Sequence, residues 1–224
     1  MRRFLHDNSL SLFFGFILLL ALGGQALAGL ADYNAEQVSD HLATVSLGRY
    51  LTSSSFGTDV AENWQSEFLQ FLLYIVATAW LLQRGSPESK PLDKAGRESD
   101  QEQKIGAFVT PESPRPARAG GWVTSLYSNS LGLVMGLIFF ACWFVQSFTG
   151  RVAFDEQQIA QLQAPVSWLG YVGSPDFWSR TLQNWQSEFL AVGSMAVFSI
   201  YLRQRGSPES KPVGERHAST GIEG

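Results

Sequence analysis

Two glutamates stand inside apolar stretches of this chain, where an ionisable side chain is costly and usually serves a purpose. Glu67 opens EFLQFLLYIVATAWLL (67–82) and Glu188 opens EFLAVGSMAVFSIYL (188–202). Eleven positions beyond each lies a hydroxyl, Thr78 or Ser199. Eleven residues is close to three helical turns, so each hydroxyl shares the face of its glutamate, as Tyr74 does. Gln25 and Gln146 sit near the far ends of two further apolar runs. Two carboxylates, two amides and two hydroxyls at comparable depth suit a proton or cation site. A structural role competes with this. A glutamate one turn inside a helix capped by Asn63 complements the helix's positive end, and glutamines hydrogen-bond between helices. If the helix starts at Ser53 instead, the helix-end argument fails.

The elements that carry these residues are apolar and long. LSLFFGFILLLALGGQALAGL (10–30) and LGLVMGLIFFACWFVQSF (131–148) contain no charge. About 20 apolar helical residues span a ~30 Å hydrocarbon layer. Only 16% of the chain is charged, against about a quarter in soluble domains. The expected fold class is an all-α membrane protein with four transmembrane helices. Cys142 lies within an apolar run and reads as packed or lipid-facing, and one cysteine makes no internal disulfide.

The chain matches itself at an offset of 121 residues. NWQSEFL occurs at 63–69 and 184–190, and QRGSPESKP at 83–91 and 204–212. Aligning 5–91 with 126–212 without a gap gives 34 identities in 87 positions. Gly15 falls on Gly136, Gly29 on Gly150, Tyr50 on Tyr171 and Ser53 on Ser174. The organisation expected is a first two-helix repeat (1–91), a flexible cytoplasmic linker (92–125), a second repeat (126–212) and a disordered tail (213–224). Each repeat is a helical hairpin, so the two copies share one orientation. Residues 1–28 resemble a secretory signal, but their counterpart is internal, so the first run is expected to stay as a helix.

Lysines and arginines sort by side. The N-terminal stretch, loop 84–122 and tail hold thirteen; loops 31–62 and 150–186 hold three. That places both termini and the central loop in the cytoplasm of a multi-pass protein of a bacterial inner (plasma) membrane. Loop 84–122 carries seven bases against six acids, so nucleic acid is excluded as a partner. Ser174-Pro175-Asp176 is a helix start: cap, first-turn proline, early acid. Trp64 and Trp185 read as interfacial anchors, with Arg84 and Arg205 anchoring the inner side. Gly15 and Gly136 suit close helix approach, Gly29 and Gly150 helix ends.

Gly85 and Gly206 suit helix caps, and Pro87 and Pro208 stop continuation. The rest of each nine-residue motif has no capping role. Ser86, Glu88, Ser89 and Lys90, with Ser207, Glu209, Ser210 and Lys211, therefore mark contact with the twin motif or a cytosolic protein partner, or else a fixed interfacial turn. No phosphate loop, HExxH, CxxC or GxSxG is present, and His6, His41 and His217 are unmatched. No cofactor, metal site or enzymatic activity is expected.

NWQSEFL followed by QRGSPESK resembles the signature of an uncharacterised bacterial integral membrane protein family, a domain of unknown function (6766). The resemblance covers 1–212. It implies a bacterial inner-membrane protein and brings no activity or ligand. Two functions follow from the residues. One is a non-enzymatic membrane module that packs or docks through its repeated motifs. The other is a small proton- or cation-conducting or transporting protein using Glu67 and Glu188. Four short helices enclose little space, so conduction would require a homodimer.

Overall fold

The computed structural model describes residues 2–222. Among them the regular structure is all helical: α1 (Arg2–Asp7), α2 (Ser9–Ser39), α3 (Leu47–Leu51), α4 (Ser54–Ala77), α5 (Arg115–Ala119), α6 (Gly121–Ser128), α7 (Ser130–Ala160), α8 (Trp168–Val172) and α9 (Pro175–Tyr201), with a short 3₁₀ turn at Gly106–Phe108. Two of these helices, α2 and α7, are long and apolar enough to cross a membrane. Only 6% and 17% of their apolar windows are buried within the molecule, so neither is the core helix of a water-soluble fold.

Helix starts follow local chemistry. The Ser46 and Ser167 hydroxyls accept from Arg49 N and Gly170 N and cap α3 and α8. Ser53 and Ser174 accept from Phe56 N and Phe177 N at the starts of α4 and α9. Both long helices thus begin well before Asn63 and Asn184. Glu67 and Glu188 stand in the fourth helical turn, away from any helix end.

The chain divides into two compact units. The first takes residues up to Ala61 together with Phe144–Phe177. In it, α2 and α7 turn back sharply after Ser39 and Ala160, with His41 and Leu162 in the left-handed region at φ 60° and 59°. Each turn is pinned to its long helix, by different chemistry. Asn34 alone makes both bonds to Val45: its Oδ1 accepts from Val45 N at 2.7 Å and its Nδ2 donates to Val45 O at 3.1 Å. At the equivalent place Asp155 accepts from Val166 N at 2.7 Å, while Arg151 Nε donates to Val166 O at 2.9 Å. An aspartate cannot donate, so an arginine supplies the missing donor.

Glycine here serves packing. Gly29 and Gly150, expected at helix ends, lie inside α2 and α7, which run on to Ser39 and Ala160. A Cβ at Gly29 would collide with the Tyr50 hydroxyl, and one at Gly150 with that of Tyr171. The missing side chains make room for two buried tyrosines, each seated against Phe56 or Phe177.

The second unit is Glu62–Trp143 with Trp178–Gly224. Its core joins α4, α7 and α9. Leu72 lies by Gly136, and Trp185 packs on Phe139 and Trp143. Arg180 reaches Glu62 with two bonds, 2.9 Å from Nε and 3.3 Å from Nη2. In the other unit nothing among the described residues lies within 4 Å of where a Gly15 Cβ would be, so its expected role in close helix approach is not realised.

Candidate functional site: the paired QRGSPESKP turns

The sequence predicts helix through residue 82; α4 stops at Ala77. Thr78 turns its hydroxyl back to Tyr74 O at 2.6 Å, and Gly96 N takes Ala79 O at 2.7 Å. The closing loop claims the carbonyls and amides that another helical turn would use. The α9 helix ends likewise at Tyr201, where Arg203 Nη1 caps the Ser199 and Ile200 carbonyls.

Each QRGSPESKP segment then folds as its own turn. Gly85 and Gly206 take φ of 86° and 84°, a region that favours glycine. Ser89 Oγ accepts from Gln83 N and Ser210 Oγ from Gln204 N, both at 2.9 Å. Ser86 and Ser207 hydroxyls accept from the Glu88 and Glu209 amides at 3.3 and 3.2 Å. These hydroxyls replace backbone partners and hold the left-handed turn, which is why serine recurs at those positions.

The two turns touch. The Glu88 carboxyl hydrogen-bonds with that of Glu209 and accepts from Tyr74 Oη. Like charges this close disfavour two ionised carboxylates. The hydrogen bond to Glu88, burial and the Glu88 charge together hold the Glu209 carboxyl above its ordinary range. Lys211, 1% exposed, reaches across to the first turn. Its Nζ donates to Gly85 O at 2.5 Å, His217 O at 2.9 Å, Ser219 O at 3.2 Å and Arg216 O at 3.3 Å. Burial, then the Arg203 charge, pushes this ammonium below the usual lysine range. Lys90, its counterpart, turns instead to Gly96 O at 2.8 Å and to Glu98. Arg84 and Arg205 are exposed beside their turns.

The other predicted site residues divide between the two units. Gln25, partly buried, and Gln146, fully buried, belong to the first unit. Glu67 and Glu188 belong to the second. There Glu188 lies near Ser66 and Glu67, while Glu67 itself is exposed. Ser199 is buried. Trp185, read as an interfacial anchor, donates its indole N–H to Gln65 Oε1 at 2.9 Å within the aromatic cluster. Trp64 is exposed.

A family model matches residues 1–222. The chain belongs to that family, Domain of unknown function (DUF6766). No curated protein and no solved structure matches it.

In this DUF6766 chain the tail is the part that sequence reasoning missed. Thr220 Oγ1 accepts from Gly85 N at 2.9 Å, Gly221 N donates to Ser86 O at 3.0 Å, and Arg203 Nη2 donates to Glu215 O at 3.0 Å. Nothing in VGERHASTG marks it as a seated segment. The Glu62–Arg180 pair was also missed. Its members are Gln183 and Asp59 in the other copy, so the repeat offered no signal.

The carboxyl pair sets a pH dependence. Glu209 holds its proton more tightly folded than unfolded, so this contact is at full strength below the ordinary value of 4.5. It weakens as pH rises through the raised value. Glu209→Gln donates to Glu88 at every pH. Thermal unfolding in detergent from pH 4.5 to 8 should show the parent losing stability relative to the variant. The gap is about 0.5 kcal/mol, the scale of a solvent-screened pair. Parallel curves would remove the shared proton from the account.

Proposed function

We propose that this chain is a non-enzymatic, four-span membrane module built from two like-oriented helical hairpins, clamped together on the cytoplasmic side by its paired QRGSPESKP turns. The observation that carries this is Lys211 of the second turn buried against Gly85 O of the first. Lys211 joins the two halves of the chain, and the motif serines hold the turns it bridges. The self-match at 121 residues and the charge asymmetry support two hairpins with both termini cytoplasmic, in a bacterial plasma membrane.

α2 and α7 supply two spans. α4 and α9 are less apolar because their N-terminal halves carry Asp59, Glu62, Asp176 and Arg180. Two features support their insertion. Leu72, Trp178 and Trp185 pack at the level of Gly136–Trp143, inside the apolar run of α7. Arg180 and Glu62 pair bidentately, which lowers the cost of carrying each charge into a low-dielectric layer.

Topology is the test. In a Cys142→Ser background, Asp40→Cys in intact spheroplasts should react with a membrane-impermeant maleimide. Asp100→Cys should react only after lysis. Labelling of position 100 from outside, or protection of position 40 until lysis, would overturn the arrangement.

A second reading, proton or cation conduction, is supported by Glu188 beside Ser66 and Glu67, next to Gln65, whose buried Nε2 has no partner among the described residues. Purified protein in liposomes should then carry a proton or potassium flux that Glu67→Gln with Glu188→Gln cuts at least tenfold. Absence of flux in the parent ends this reading.

A further inference from the structure

The two QRGSPESKP turns are identical in sequence and unequal in surroundings. Gly85, Ser86 and Pro87 are buried; Gly206 and Pro208 are exposed and Ser207 is half-buried. The cover on the first turn is the chain's own tail. Thr220 Oγ1 takes the Gly85 N–H, Gly221 N–H takes the Ser86 carbonyl, and the His217 carbonyl lies against Gly85. At the second turn nothing among the described residues lies within 4 Å of where a Gly206 Cβ would be. Beside it is a cleft of about 600 Å³, lined among others by Gln204, Arg205, Gly206, Ser207 and Val213. The linker after Lys90 does not fill it. Lys90 holds that segment through Gly96 and Glu98.

We propose that the second turn is a docking site for an extended peptide segment of a cytosolic partner carrying a Ser/Thr-Gly step, bound as the tail is bound on the first turn. The hydroxyl accepts from Gly206 N–H and the following amide donates to the Ser207 carbonyl. That carbonyl already accepts from Ser210 N at 3.2 Å, and a carbonyl has two lone pairs. Gly85 and Gly206, with φ of 86° and 84°, present their amide N–H groups from the same left-handed conformation. The chain's own tail is committed in cis by Lys211 and Arg203, so the occupant comes from elsewhere. The inference deepens the reading of these turns as contact elements. Its test runs in micelles, where membrane topology plays no part.

The probe is a fluorescent peptide of residues 213–222, VGERHASTGI, titrated into the full-length protein in detergent and followed by anisotropy. One equivalent should bind, with a Kd on the order of 100 μM for so short a contact. Val213→Trp places an indole in the cleft at a position already 63% exposed; binding should fall at least tenfold. Gln204→Trp, from the opposite side of the motif, is the second blocking variant should the first unfold. A peptide with valine in place of its threonine loses the acceptor for Gly206 N–H and should bind at least tenfold more weakly. Three results would each overturn the proposal. They are no binding by the parent at millimolar peptide, undiminished binding to folded blocked variants (displacement of the tail from Gly85), and equal binding of the valine peptide.

Discussion

Gly150→Ala should destabilise this protein by about 1–3 kcal/mol, the usual cost of forcing an extra carbon into a filled site. Alanine is otherwise the better helix former by about 1 kcal/mol, so a measured loss is net of that gain. The cause is Tyr171, 1% exposed, whose hydroxyl and ring edge occupy the volume the methyl would need. The phenol cannot swing away: it packs between Phe154 and Phe177, and its Oη lies 3.3 Å from Asp176 Oδ2. Tyr171→Phe removes the closest atom. The double variant should therefore lose less than the sum of the two singles, a coupling readable in a thermal-unfolding cycle in detergent. Gly29→Ala against Tyr50 should behave alike. Gly136→Ala is the control, since its methyl would meet only Leu72 at an ordinary 3.6 Å. If Gly150→Ala unfolds at or above the parent's temperature, the tyrosine does not sit where it is described.

Lys211→Met should release the C-terminal tail. The variant keeps the stem's volume and removes all donors to the carbonyls of Gly85, Arg216, His217 and Ser219. Each carbonyl must then find water, which the fully buried position does not admit without opening. Bonds from a charged donor contribute about 1.5–3 kcal/mol, and stranded buried acceptors cost a similar amount. Amide exchange over residues 215–221 should accelerate on the order of 100-fold, while that of α7 stays unchanged. Lys211→Arg should fail to restore protection, because a planar fork does not fit a cage built around a compact ammonium. Lys90→Met, at a site 26% exposed and supported by Glu98, should leave the tail protected. Equal protection in parent and Lys211→Met would show that the tail is held by other contacts.

Much of the framework was legible in the residues. Apolar run length located α2 and α7, and the Ser-Pro-Asp step located the start of α9. The 121-residue register recurs in the element bounds: Ser9–Ser39 against Ser130–Ala160, Leu47–Leu51 against Trp168–Val172. Glycine was the weak point. A repeated glycine in an apolar run signals an end, a crossing or a close side chain with equal force, and only Tyr50 and Tyr171 decide among them. Helix ends at Ala77 and Tyr201 were misplaced because apolar residues continue past both; capture by the following loop depends on contacts that no local pattern encodes.

By itself the sequence determined an all-helical chain, the two apolar helices, the serine caps and two glycine-centred turns, because caps and turns depend on hydroxyls and glycines a few residues apart. It could not determine which turn is covered. Nine identical residues repeat the same glycine conformation and serine bonds, and the difference in cover lies in partners 126 and 135 positions away, Lys211 and Thr220 on Gly85. Closing loops that long costs entropy that only the assembled cage of charge-assisted bonds offsets. The asymmetry between the twin turns is thus a property of the tertiary structure.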